Sequence, residues 1–290
     1  MKLLAKFNLI FVSVVTVGIA ISGWITRDLL QANAREEVQN NARLLMESAT
    51  AVRGYTAGQI TKLLQAQMEH EFLPQAVPSY SATEVQNALH AKYPEYAYKE
   101  ATLNPTNPRD RAVGWEVDIV SHFRNAGELK EFVGQRDTPA GRSLYVARPL
   151  RITNPACLQC HSSVEAAPKT MVAKYGPANG FGWQLNEVVG AQIVSVPMDV
   201  PLARAERSFK LFIGSLVGVF VVVGLLLNLM IWKLVVQPVT QLSALADRVS
   251  QGDLAAPEFA ASSRDEIGVL AASFARMRAS VVQAMKMLDD

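Results

Sequence analysis

Two long apolar runs constrain this chain more than any other feature. Phe7 to Ile25 carries no charged residue and follows Lys2 and Lys6; Leu211 to Trp232 is likewise uncharged and lies between Lys210 and Lys233. Each is near the roughly 20 residues a helix needs to cross the hydrocarbon core of a bilayer. Trp24 and Trp232 sit toward the far ends of the runs, where amphipathic rings favour the lipid interface. The rival reading of the first run is a cleaved secretory signal, since Ala32-Asn33-Ala34 has a small-x-small pattern. The run is longer than a usual signal core, and Arg27 and Asp28 precede that site, which favours an uncleaved anchor. Both ends of the chain then share one side of the membrane, and residues 27–209 lie on the other.

Composition agrees with this. The 290 residues are 50% hydrophobic and only 19% charged, with mean hydropathy above zero. Soluble domains carry about a quarter charged residues, and disorder needs the opposite balance. The 28 Lys and Arg nearly cancel the 26 Asp and Glu, which argues against a nucleic-acid binder that works through a basic surface. Lysines and arginines flank the runs on both sides, and the positive-inside rule gives no orientation.

Between the runs, Val38, Ala42, Leu45, Ala49 and Val52 repeat at helical spacing, and Ile60, Leu64 and Met68 do so after Gly54 and Gly58. One long helix or two is expected, stopped by Pro74 and Pro78. Ser81-x-x-Glu84 is a capping-box pattern that would open a short helix with Val85, Ala88 and Leu89 on one face. Leu103 to Pro108 is a turn-rich loop. Trp115, Val117, Ile119 and Phe123 alternate with Glu116, Asp118 and His122, which predicts a half-buried strand. Residues 143–147 and 190–196 are further strand candidates. Strands framed by helices over about 180 residues fit one α+β domain.

The chemistry-bearing motif is Cys157-Leu158-Gln159-Cys160-His161. Two thiols at this spacing can add to the two vinyl groups of a haem, and the adjacent histidine then lies under the iron as its axial ligand. The motif uses both cysteines of the chain, so no disulfide framework exists. A thioredoxin-like redox pair, half a zinc site and a tight-loop disulfide are the other readings. A zinc site lacks its second ligand pair, and Asn154-Pro155 before the motif is not the buried strand that leads into a thioredoxin-like pair. Covalent haem is attached on the outer side of an energy-coupling membrane, which would put residues 27–209 in the periplasm and both termini in the cytoplasm.

A thiolate is excluded as the distal ligand, because no third cysteine exists. His70, His90 and His122 all fall on polar positions. Met46, Met68, Met171 and Met198 could supply a thioether, and Met68, in phase with Ile60 and Leu64, is the first choice. A five-coordinate iron open to a gas stays open as well. Arg142, Arg148 and Arg151 could pair with haem propionates or be ordinary surface arginines.

These residues also carry a resemblance. Leu103-Asn104-Pro105-Thr106-Asn107-Pro108 with Trp115-Glu116, then Cys157 to His161, then Tyr175 to Trp183 closely resemble the family of periplasmic c-type haem sensor domains. The likeness covers about residues 30–200. It implies a PAS-like fold, often attached to signalling modules, and one covalent haem c on Cys157 and Cys160 with His161 as axial ligand. Some soluble members have a cysteine in the first helical region. Here Arg53 stands near that place, so the resemblance leaves the sixth ligand open.

After the second run, Pro238 suits the first turn of a helix. Leu242, Leu245 and Val249 form a short seam, closed by Gly252-Asp253. Leu254, Pro257 and Phe259 would form a connector. Ser263-x-x-Glu266 is a second capping box, followed by Ile267, Leu270, Phe274, Met277 and Val281 in the same three-four rhythm. Two such helices cannot bury their seams alone, but a dimer of them makes a parallel four-helix bundle. Pro238, Gly252-Asp253-Leu254, Asp265-Glu266-Ile267-Gly268, Phe274 and Met277 resemble a HAMP linker over about residues 233–285. Gly214 and Gly218 are placed to help pack the second run on a partner helix.

The expected organisation is a membrane helix over 1–26, a periplasmic haem domain over 27–209, a second membrane helix over 210–232 and a cytoplasmic HAMP helix pair over 233–290. The expected function is an inner-membrane, homodimeric haem c sensor of redox or ligand state that acts through HAMP. The chain stops at Asp290 without a kinase or methyl-accepting region, so a cytoplasmic partner in trans is expected to carry the output. The alternative is a membrane-anchored electron-transfer cytochrome c. No distal acid-base pair of the peroxidase kind is legible, so no enzyme is expected.

Overall fold

The computed structural model describes residues 3–139, 141–253, 257 and 265–289. They divide into two compact units, residues 27–207 and residues 1–26 with 208–290.

In the first unit, β1 (Ala97–Thr102), β2 (Phe132–Thr138), β3 (Gly141–Arg151) and β4 (Val188–Pro197) form an antiparallel sheet in the order β1-β4-β3-β2. Successive strand residues point to opposite faces, and both faces are covered. Val38, Ala42 and Met46 of α1 (Leu3–Tyr55) lie on Leu144, Val146, Val194 and Val196. Ile119, Val120 and Phe123 of α4 (Trp115–Asn125) lie on Ala101, Ala147, Ala191 and Ile193. The strands expected over 143–147 and 190–196 lie within β3 and β4.

Several local expectations are corrected. Residues 115–123 are helix, not strand. The buried set is Glu116, Ile119, Val120 and Phe123, spaced for one helical face, and Val120 is the apolar residue that breaks the strand-like alternation. His122 is accordingly an exposed helical residue, its ring 4.8 Å from that of Phe132. The helix α3 (Pro78–His90), which follows α2 (Thr61–Met68), opens on Pro78 rather than on a Ser81 cap. Ser81 Oγ instead donates to the Gln75 carbonyl at 2.8 Å. Its buried face is Ala82, Thr83 and Gln86, and Val85 is 49% exposed. Gly54 and Gly58 do not break the first helix: a π-helical turn, Thr56–Ile60, joins α1 to α2. Such turns absorb one extra residue without ending the helix.

In the second unit, α7 (Asp199–Ile231) passes through a π-helical turn, Trp232–Val236, into α8 (Gln237–Ser250). Pro238 therefore follows a wide turn inside a continuing helix, where its missing N–H and its ring are accommodated. The helices Leu3–Met68 and Asp199–Ser250 are each long and apolar enough to cross a membrane. Gly252, at φ +93°, ends α8. Leu254, Phe259 and Ser263 lie outside the described residues. Asp265 Oδ1 caps α9 (Glu266–Asp289), accepting from Ile267 N at 3.1 Å and Gly268 N at 3.0 Å.

One polar contact joins the two apolar runs. Asn8 Nδ2 donates to Asn228 Oδ1 at 2.8 Å, and Asn228 Nδ2 donates to Asn8 Oδ1 at 2.7 Å. A reciprocal amide pair among apolar side chains sets the register of one helix on the other, because sliding would strand Asn8 and leave Asn228 only the Gly224 carbonyl of its own helix. Asn8→Leu and Asn228→Leu should each destabilise the full chain by about 1 kcal/mol in bicelles. The double variant should cost less than the sum, since it leaves no amide unpaired; strict additivity in the unfolding titration would contradict the pairing.

Candidate functional site

The Cys157 motif sits on one tight turn just beyond the end of β3. Asn154 Oδ1 accepts from Ala156 N at 2.9 Å, and Pro155 starts a 3-10 turn, Pro155–Cys157, that runs into α5 (Leu158–His161). Residues three and four apart share a helical face, so Cys157, Cys160 and His161 project to one side. Both thiols are free and half-buried. Burial, with the nearby Cys157, pushes the Cys160 thiol above its ordinary pKa.

His161 is held on two sides. Its ring stacks on Trp183 with centroids 4.0 Å apart and planes 13° apart. Its Nδ1 lies 2.7 Å from the Gly180 carbonyl and 3.5 Å from Thr106 Oγ1. A carbonyl can only accept, so Nδ1 carries the hydrogen and the Nε2 lone pair is left for an electrophile or a metal. Burial lowers the pKa of His161, against a smaller opposing effect from the Gly180 carbonyl.

The segment carrying Gly180 is pinned in turn. Gly180 N donates to Asn104 Oδ1, and Asn104 Nδ2 donates to the Phe181 carbonyl, each at 3.2 Å. Gly182 N and Trp183 N donate to the Ser162 and His161 carbonyls at 3.0 and 3.1 Å. Gly180 has φ +87°, and a Cβ there would lie 2.0 Å from Thr106 Oγ1 and 2.9 Å from its Cα, so only glycine fits. The turn-rich Asn104 loop and the Tyr175 to Trp183 run, far apart in sequence, thus form one cradle for His161.

An apolar wall adjoins the turn. Phe72, Ala167 and Met171 of α6 (Lys169–Tyr175) are buried there, with Met68, Cys160, Tyr175 and Phe181 packed on them. Met68 therefore shares a cluster with Cys160, and its sulfur accepts from Leu73 N at 3.3 Å. Met46 and Met198 are buried in the α1 layer of the core instead. His70 and His90 are exposed, His90 with Nδ1 2.7 Å from the Tyr96 carbonyl.

The three arginines considered for anionic groups are engaged elsewhere. Arg148 pairs with Glu47 at 2.6 Å and Glu131 at 3.1 Å. Arg151 donates to the Asn186 and Gly127 carbonyls, both at 2.8 Å, and Arg142 lies 3.6 Å from Asp137. Arg53, by contrast, is drawn toward the motif. It pairs with the buried Glu100, which also accepts from the Tyr98 hydroxyl at 2.7 Å; Gln192 donates to that hydroxyl at 2.9 Å. Burial alone would lower the Arg53 pKa, but Glu100 raises it, and Tyr98 and Cys157 act in the same sense. Composition and periodicity give no sign of this row, because its partners come from α1, β1 and β4. Among the described residues, no group of three or more His, Cys, Asp or Glu converges as a metal cluster, and nothing joins the two thiols in a zinc-like set.

Asn104→Ala removes both bonds that brace the Gly180 segment. It should destabilise the chain by about 1–2 kcal/mol in urea unfolding; an unchanged midpoint would show that the loop does not hold the cradle.

Comparison with known proteins follows these features. A HAMP domain model matches residues 230–283. Among solved structures, the chain is similar to one described as the crystal structure of the cyanobacterial heme-protein Tll0287, at 16% identity over 56% of this chain and 95% of that chain, with a TM-score of 0.44. No curated protein matches. A family model described as Tll0287-like matches residues 31–197, more than half of the chain, which therefore belongs to the Tll0287-like family.

Proposed function

We propose that this chain is a membrane-bound haem c sensor that passes a periplasmic redox or ligand state to its HAMP domain. One observation carries the reading: His161 spends Nδ1 on the Gly180 carbonyl, and its Nε2 lone pair shares one helical turn with two free thiols. That donor set fits a covalently attached haem, which Cys157 and Cys160 would hold through their thiols and His161 through its free imidazole nitrogen. The Tll0287-like family match supports it. When bound, the haem would supply an iron that responds to redox poise or to a small ligand.

The chain's own residues do the rest. Trp183 and the Gly180 carbonyl orient His161 and raise its basicity as a ligand. Phe72, Met171, Tyr175 and Phe181 keep water from the apolar side of the turn. Met68, which packs in the same cluster as Cys160, would be the second side chain to hold the iron. Arg53 is tied to Glu100, and this ion pair fixes the end of α1 on the sheet. We read the sheet with its covering helices as PAS-like, residues 27–209 as periplasmic and both termini as cytoplasmic.

The output end points to a dimer. In α9, Leu270, Met277 and Val281 are 48%, 54% and 41% exposed, whereas Leu242 of α8 is buried. A second copy would cover these positions in a four-helix bundle, and a change in its packing would be the signal to a partner in trans. A non-catalytic signalling role accords with the sensor and HAMP matches.

Expression in cells competent for cytochrome c maturation should give haem that stays on the chain in a denaturing gel, and Cys157→Ala/Cys160→Ala should lose it. Haem-free wild-type chain would defeat the proposal. In membranes, Met277→Cys should cross-link between two copies with a bismaleimide at rates that differ between ferricyanide-oxidised and ascorbate-reduced samples. Equal rates would favour the alternative, a membrane-anchored electron-transfer cytochrome.

A further inference from the structure

A cleft of about 360 Å³ opens on the α4 face of the sheet, beside the edge strand β1. α3, the Pro108–Asp110 turn, α4 and strands β1, β2 and β4 line it. Its volume falls in the range of small-molecule sites, about 300–1,000 Å³. None of the residues assigned above to the histidine cradle or the thiol turn lines it.

Two side chains of this cleft lack the partner that the fold would ordinarily give them. Thr83, on α3, is 6% exposed, and among the described residues its Oγ1 is the buried side-chain polar atom without a hydrogen-bond partner. A helical threonine ordinarily bonds back to a carbonyl one turn earlier, and a buried unpaired hydroxyl is costly enough to need a reason. Arg136, on β2, lies 4.1 Å over the Trp115 ring and has no carboxylate partner among the described residues. The other cations of the cleft are committed: Lys99 to Glu116 at 2.7 Å, and Arg109 to Glu84 and Asp110. Trp115 and Ile193 supply an apolar wall beside that free guanidinium. Burial raises the Asp110 carboxyl to about 6, and its remaining charge at neutral pH faces Arg109 at 3.6 Å.

We infer that this cleft is a second ligand site, separate from the Cys157–His161 turn, that takes a small organic carboxylate. The carboxylate pairs with the planar fork of Arg136, which matches it two bonds at a time. The body of the ligand lies on Trp115 and Ile193, and one of its oxygens or nitrogens satisfies Thr83 Oγ1. This inference does not rest on the haem reading.

The test uses the full chain in detergent, titrated calorimetrically with benzoate, phenylacetate and isovalerate, with benzamide as the uncharged counterpart of benzoate and inorganic phosphate as a plain anion. At least one carboxylate should bind saturably with one site per chain, and benzamide and phosphate should not. Arg136→Gln should weaken that binding by about tenfold, as loss of a charge-assisted pair does. Thr83→Val should weaken it by roughly threefold while leaving the free chain as stable or more so, because it removes an unpaired hydroxyl. The Cys157→Ala/Cys160→Ala chain should bind the same carboxylate as well as wild type. Failure of all three carboxylates, equal binding of benzamide, or indifference to Arg136→Gln would overturn the inference. Binding confined to the chain without its cysteines would also overturn it, since the cleft would then belong to the haem site.

Discussion

The hydrogen bond from His161 Nδ1 to the Gly180 carbonyl is the constraint on which the site depends. It fixes the tautomer, and with the Trp183 stack it fixes the ring plane. Much of the surrounding sequence serves it. Gly180 must be glycine because Thr106 crowds it and its φ is positive. Asn104 must carry both a donor and an acceptor, because it bonds Gly180 N and the Phe181 carbonyl together. Asn154-Pro155 must start the turn that lines up two thiols with the imidazole. A histidine without this cradle would be free to offer either nitrogen.

The sheet supplies the rigid platform. Its α1 face is filled by valine, alanine and methionine in helical register, and its α4 face by Ile119, Val120 and Phe123. Where partners from several elements meet, buried polar groups form networks, as in the Arg53–Glu100–Tyr98–Gln192 row. A buried ion pair adds little net stability, but breaking it strands a charge. That row therefore fixes where the end of α1 sits on β1 and β4, beside the thiol turn. The Asn8–Asn228 pair has the same logic in the other unit, where two amides choose one register among otherwise interchangeable apolar contacts.

What was legible in the sequence was what local spacing controls. The apolar runs, the cysteine-histidine turn, the helical rhythm of α1, the strands β3 and β4 and the HAMP landmarks all repeat over a few residues. The errors arose where long-range partners decide. Residues 115–123 match a strand if Val120 is overlooked, and a helix once the sheet buries Ile119, Val120 and Phe123 together. In α3 the apolar Val85 faces outward while Thr83 and Gln86 are buried, which no hydrophobic pattern foretells. β1 was missed because it carries Lys99 and the buried Glu100, both paired with residues distant in sequence. The Gly180 carbonyl was invisible for a similar reason: a main-chain oxygen leaves no mark on composition.

The central claim is that the fold presents His161 with Nδ1 protonated and Nε2 free before anything binds there. Long-range proton–nitrogen correlation spectra of the ¹⁵N-histidine-labelled Cys157→Ala/Cys160→Ala chain read that tautomer directly. At neutral pH the His161 ring should be neutral with its proton on Nδ1, and Asn104→Ala should change this. A ring protonated on Nε2, or one averaging between tautomers, would contradict it.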